Sequence, residues 1–549
     1  MADDEASSPQ SSHRDPIKTS VHTSAAHRRR QHAVTIGKER REALIRNKRL
    51  CRDGVDDNED SLEGSMIIDE EKSTLDTQAS QIVGALKSVV HLHGKEAAQK
   101  KGEILRDLRR LLSKSEAPPI EAAIHAGAIP ILVQCLSFGT PDEQLLEAAW
   151  CLTNIVAGEL EETKSLLPAL PLLIAHLGEK SSLPVAEQCA WALGNVAGEG
   201  EEMRSVLLAQ GALLPLARLM LSNKSSTART AAWALSNMIK GPDPKAATEL
   251  IKVDGVVDSI VRHLKKGDDE LATEVAWVVV YLSALSETAV RLMVKSNIVE
   301  LLVGRLTASE SLPLLIPVLR SLGNIVAGDA YITDNFLVVG SNVTDNAITS
   351  LVKCMSSENR GLKKEATWVL SNLAAGSIEH KRLIFTSAAT PLLIHLLSSA
   401  PFDVRKEAAF ALGNLCVAPI ESVGQPNIIL DHLVSIVHQG CLSGFISLVK
   451  SPDIEGARLG LQFLELVLRG MPDGEGPKLV EREDGIAAME IFQFHENEFM
   501  RNMANGRVHC KNLEGILEMK AGNNTMRFAI YGTRKEVGMV PVIILAAAL

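Results

Sequence analysis

Five residues recur along this chain at a near-constant interval. They read Trp150-Cys-Leu-Thr-Asn154, Trp191-Ala-Leu-Gly-Asn195, Trp233-Ala-Leu-Ser-Asn237 and Trp368-Val-Leu-Ser-Asn372, with variants at Trp277 to Tyr281, Arg320 to Asn324 and Phe410 to Asn414. The first positions are separated by 41, 42, 44, 43, 48 and 42 residues. The chain has five Trp, and all five belong to this series. A period of this size describes units that cannot bury an apolar face alone and must stack on their neighbours.

The period predicts stacked helical repeats of the HEAT or armadillo kind, an all-α solenoid running over residues 79–505. At 549 residues the chain is too long for one compact core, but a solenoid uses such a length as one unit. Short breakers recur between apolar runs, among them Gly127, Gly139-Thr-Pro141, Gly211 and Gly241-Pro-Asp-Pro244. Each repeat therefore reads as two or three short helices, the last carrying the Trp and Asn and lining the concave side.

Residues four apart share a helix face, so each repeat sets an indole beside an amide. A row of amides suits the backbone of an extended peptide, since each has a donor and an acceptor. A row of indoles makes slots for long cationic side chains. In the competing reading, both residues are interior and Asn ties down an inter-repeat turn. The gathering of every Trp into one register favours a binding surface. Three residues before the aromatic stand Glu147, Glu274, Glu365 and Glu407, with Gln188 in the second repeat. Acids in register with indoles and amides describe a groove for a basic, extended peptide.

Charge is unevenly spread. Residues 28–52 carry +8, within a chain of net −10, and the remainder is correspondingly acidic. Arg28, Arg29, Arg30, Lys38, Arg40, Arg41, Arg46, Lys48, Arg49 and Arg52 make residues 1–52 a basic arm, disordered at its start. Composition alone leaves nucleic acid, an anionic membrane or an acidic protein surface as its partner. Residues 53–78 read as an acidic, flexible linker and 506–549 as an atypical tail, disordered or poorly packed. The eight Cys include no Cys-x-x-Cys pair, which leaves no zinc or redox motif and points to a reducing compartment. The His residues are scattered and expected on surfaces or helix faces. No P-loop, dinucleotide fingerprint or nucleophile elbow is present, so neither an enzyme nor a cofactor is expected.

Over about residues 14–505 these features resemble importin alpha, the nuclear-import adaptor family, most nearly its plant type. An arginine-rich segment precedes armadillo repeats bearing the Trp-x-x-x-Asn ladder. The resemblance implies a right-handed superhelical armadillo solenoid with a flexible basic N-terminal arm. It implies a major site for nuclear localisation signals at Trp150, Asn154, Gly158, Thr163, Gln188, Trp191, Asn195, Glu199, Trp233 and Asn237. Gly158, Thr163 and Glu199 would form the key lysine pocket, with Glu in place of the family's usual Asp. A minor site would use Trp277, Tyr281, Arg320, Asn324, Glu365, Trp368, Asn372, Glu407, Phe410 and Asn414. Phe410 replaces a Trp there, and Thr230 replaces a common Asn in the major site. The basic arm would bind importin beta. Leu50 interrupts the family's self-inhibitory basic cluster after Lys48-Arg49, so weaker self-inhibition is expected. The partners implied are cargo proteins bearing nuclear localisation signals, importin beta and the export receptor, with no nucleic acid and no membrane. The location implied is cytoplasm and nucleus, with transient passage at the nuclear envelope. The other classes weighed are an armadillo scaffold resembling beta-catenin and a nucleic-acid binder acting through the arm.

Overall fold

The computed structural model describes residues 65–113, 118–327, 342–417, 426–498 and 500–504. They belong to two compact units that divide at 328–329. Both are armadillo solenoids, and the described residues are helices joined by short turns.

In the first unit the last helices of successive repeats form a row, each from α2 onward the longest of its repeat: α1 (Lys95–Ser113), α2 (Asp142–Ile155), α3 (Leu183–Glu199), α4 (Ser225–Ile239), α5 (Asp269–Leu285) and α6 (Leu312–Val326). Each packs against the next. In the second unit the row is α7 (Arg360–Ala374), α8 (Phe402–Leu415) and α9 (Ile454–Gly470), packed in the same order. Small residues let these helices approach closely: Ala148, Ala149, Ala190, Ala192, Ala231, Ala232 and Ala234 are buried between them.

Two shorter helices precede most row helices, as in Glu201–Ala209 and Leu213–Met220 before α4. The turn between such a pair needs a left-handed residue. Gly127, Gly211, Gly255 and Gly440 supply it at φ 89°, 78°, 82° and 90°, and Asn297 does so at φ 59°. Side-chain caps start several row helices. Asp268, Asn359 and Asp453 accept the backbone N–H of Leu271, Leu362 and Gly456 at 3.0, 2.9 and 2.7 Å.

Two expectations change. The first described helix runs Ser65–Val89, so it begins inside the stretch read as a flexible acidic linker. Leu75, Ala79, Val83, Leu86 and Val90 form one apolar stripe, and Ala79, Val83 and Leu86 are buried. Second, several histidines are interior ties and not surface residues. His176 and His263 are fully buried and donate Nε2–H to the carbonyls of Leu136 and Met220 in the preceding repeat, at 2.6 and 2.9 Å. Each satisfies a carbonyl at a helix C-terminus that would otherwise be orphaned. The six described cysteines are buried thiols, and burial raises the pKa of each. Among the described residues no single helix is long and apolar enough to cross a membrane.

Candidate functional site

The ladder amides follow one rule. In the first unit Asn195, Asn237 and Asn324 donate Nδ2–H to the carbonyls of Thr153, Gly194 and Val280, at 3.4, 3.1 and 3.1 Å. In the second unit Asn414 donates to the Ser371 carbonyl at 3.0 Å. Every acceptor lies just before the ladder amide (or Tyr281) of the preceding row helix. Asn154 reaches back to α1 instead, to the Ser113 hydroxyl at 2.9 Å and the Arg109 carbonyl at 3.4 Å. The amide nitrogens thus join neighbouring repeats. Oδ1 of Asn154, Asn195, Asn324 and Asn414 takes no protein donor among the described residues, while Oδ1 of Asn237 accepts from Lys240 at 3.3 Å. The expected row of two-way amides is mainly a row of acceptors.

The residue before the amide is small for a reason. A side chain at Gly194 would collide with the six-membered ring of Trp233, whose indole lies against it. Trp233 and Trp277 are consequently buried, whereas Trp150 and Trp191 are half-exposed. Val280 breaks the small-residue pattern where the next ladder position is Arg320 and not an indole.

Two indole faces already hold a cation from the chain itself. The Arg109 guanidinium lies 4.4 Å from the Trp150 ring centroid, and its Nε is 2.5 Å from Glu147 Oε2. Arg320 lies 5.9 Å from the Trp277 centroid. At Trp150 a carboxylate, an indole and a guanidinium thus meet in one cluster. Tyr281 is buried and stacks on Trp277 with centroids 6.2 Å apart. Gln188 is buried and donates to the Thr153 hydroxyl at 2.7 Å.

Gly158, Thr163 and Glu199 fall around the C-terminal ends of α2 and α3, where carbonyls accumulate partial negative charge. Thr163 is 1 % exposed, and its buried hydroxyl has no hydrogen-bond partner among the described residues. Glu199 Oε1 is shielded from solvent there. Glu162, not singled out from the sequence, also stands at this spot. Its carboxylate caps the Glu159 N–H at 2.6 Å and occupies the space beside Gly158, where a side chain would collide with it. The Glu159-x-x-Glu162 capping-box spacing was the available signal.

Two of the equivalent positions elsewhere carry cations. Thr163, Arg204 and Lys381 each stand nine residues after a ladder amide. Arg204 is buried and places Nη1 3.5 Å from the Ala197 carbonyl at the end of α3; burial lowers its pKa. Lys381, in the second unit, donates from Nζ to the Ala374 and Asn414 carbonyls, each at 2.6 Å. Burial holds its ammonium down at about 8. At Thr163 the equivalent position carries a buried hydroxyl in place of a cationic side chain.

In the second unit Trp368 and Asn372 are half-buried and Phe410 and Asn414 buried. Glu365 is 4 % exposed. Burial pushes the Glu407 carboxyl up to about 8; nearby Lys364 opposes that and Glu365 adds to it. The proposed minor-site residues divide between the units, four in the first and six in the second. The arm residues from Arg28 to Arg52 lie outside the described residues.

The Armadillo/beta-catenin-like repeat family matches residues 116–157, 200–240, 343–375 and 377–417. Importin subunit alpha-9 of Arabidopsis thaliana is 65% identical over 510 residues, covering 92% of this chain and 98% of the relative. Importin subunit alpha-2 of Oryza sativa subsp. japonica is 63% identical over 516 residues, with coverage of 92% and 98%. The chain belongs to the importin alpha family. Within this importin alpha chain, each matched repeat ends on a ladder pair: Trp150 and Asn154, Trp233 and Asn237, Trp368 and Asn372, Phe410 and Asn414. A solved engineered protein shares the fold at 25% identity and a TM-score of 0.66, covering 79% of this chain and 98% of that one.

Proposed function

We propose that this importin alpha chain is a nuclear-import adaptor. It takes the basic nuclear localisation signals of cargo proteins along the Trp/Asn ladder and joins the cargo to importin beta through its basic N-terminal segment. It shuttles between cytoplasm and nucleus and is recovered by an export receptor.

The observation that carries this reading is the contrast between Thr163 and the two equivalent positions that bear cations, Arg204 and Lys381. Arg204 and Lys381 point their cations at helix-terminal carbonyls, whereas Thr163 holds a buried hydroxyl with no partner among the described residues. An incoming lysine supplies the missing cation and donor: its ammonium meets the hydroxyl, the carboxylate and helix-terminal carbonyls. Its methylenes pack on the half-exposed Trp191. The outward oxygens of Asn154 and Asn195 accept peptide N–H groups, so the contacts to the main chain are independent of sequence. Specificity then resides in the slots and the niche.

The test is fluorescence anisotropy of the full chain with a short lysine-rich peptide. Thr163→Lys fills the niche internally, as Lys381 does in its own repeat. It is expected to weaken binding at least about tenfold, roughly 1.4 kcal/mol, with the fold retained by circular dichroism. Combined Trp191→Ala and Asn195→Ala is expected to abolish binding. A folded Thr163→Lys protein with unchanged affinity removes the lysine-pocket assignment. No binding by the full chain removes the adaptor reading.

A further inference from the structure

Lys381 is a buried charge to which the reading above assigns no part in recognition. It enters from the helix Ile378–Thr386, is 2 % exposed, and ends between two row-helix termini. Its two partners are neutral carbonyls, Ala374 at the end of α7 and Asn414 at the end of α8, each 2.6 Å away. No ion pair joins Lys381 to a carboxylate among the described residues. A buried ammonium without a counter-ion is costly unless the site is shaped for it. Two converging helix C-termini provide that shape, since each offers unsatisfied carbonyls and the negative end of a dipole. Leu, Met or Ala would pack here without desolvating a charge, so the burial of Lys381 calls for a reason beyond packing.

We propose that Lys381 is a resident ligand. Its ammonium fills, from inside the chain, a cation niche at the position equivalent to Thr163, and so withholds this repeat from the lysines of a bound basic peptide. Lys381 therefore acts as a specificity determinant: it limits where along the ladder a peptide ammonium can settle. The occupancy stands on the geometry alone, and the effect on peptide register rests on the proposed function.

The experiment removes the resident cation and offers another. In the full chain, Lys381→Ala opens the niche, and Lys381→Met fills it without charge. Thermal melting is followed with increasing n-propylammonium chloride, against tetramethylammonium chloride of equal concentration, which has the charge and no N–H. The expected result is a saturable rise of a few degrees for Lys381→Ala with propylammonium only, and none for wild type or Lys381→Met. If Lys381→Ala does not fold, Lys381→Thr, which places the hydroxyl of Thr163 here, takes its place. A folded open-niche variant that responds to propylammonium no more than wild type overturns the proposal.

The second readout uses a peptide with two lysine clusters joined by a flexible spacer. Lys381→Thr is expected to bind it at least about tenfold tighter than wild type, with the affinity for a single-cluster peptide unchanged within about twofold. Equal affinity of Lys381→Thr and wild type for the two-cluster peptide overturns the role in register. Failure of wild type to bind the single-cluster peptide is a separate result. It removes the adaptor reading, and the propylammonium arm still decides whether Lys381 sits in an ammonium site.

Discussion

Gly194 lies beneath the indole of Trp233, and the ring fills the space any side chain at 194 would need. The neighbour is a buried ring on the adjacent row helix, so it cannot swing aside as an exposed chain end could. Gly194→Ala is expected to destabilise the fold by about 1–3 kcal/mol, the usual range for overpacking. Gly194→Val should do worse and shift the Trp emission spectrum. Urea melts followed by Trp fluorescence measure both, and a neutral Gly194→Ala would mean that the helices simply slide apart.

The amide rule separates two roles within one side chain. Asn195→Asp keeps an outward acceptor but deprives the Thr153 carbonyl of its donor and sets an anion against it. A stability loss of about 1–2 kcal/mol is expected. Asn195→Ala loses the donor and the acceptor together, so it should weaken a lysine-rich peptide more than Asn195→Asp does. Paired melts and anisotropy titrations read the two effects on the same samples.

Glu407 should make the second unit sensitive to alkali. Its carboxyl is raised from 4.5 to about 8, so the unfolded chain gives up that proton before the folded chain does. The stability it contributes is complete below about pH 4.5 and is lost as pH rises through about 8. Glu407→Gln is expected to gain on the order of 1–3 kcal/mol relative to wild type between pH 5 and pH 8.5. Urea midpoints across that range test it, and parallel curves for the two proteins would contradict it.

Acid acts through two histidines. Burial lowers the pKa of His263 in the first unit and of His432 in the second from the ordinary 6.5. Each contributes stability that is present above pH 6.5 and is lost as pH falls through the lowered value. His263→Gln keeps a donor for the Met220 carbonyl and cannot take up a proton. Its acid-unfolding midpoint is expected to move down by a few tenths of a pH unit, measured by circular dichroism.

What the sequence made legible was whatever repeats. The ladder period placed Trp and Asn on the last helix of each repeat, and Gly127 and Gly211 marked their turns, because these signals are local. Contacts between distant residues that share no motif were not legible. Arg109 reaches Trp150 from a helix with no ladder signature, and only the packing of α1 on α2 brings them together. Lys381 was one lysine among many until its helix carried it to two carbonyls. The amides were read as facing outward on both atoms, because spacing gives the side of a helix and not the rotation of a terminal amide. The helix from Ser65 was hidden by its acids, which outweigh a sparse apolar stripe in composition.

The amide rule also bears on how such a surface can change over generations of mutation. One atom of Asn195, Asn324 or Asn414 clamps its repeat to the one before, and the neighbouring atom belongs to the ladder face. Substitutions that would retune recognition at one rung also loosen a joint between repeats. Drift toward new partners is therefore easier at the slots, at the niches and in the flanking acids, where a side chain can change without slackening the stack.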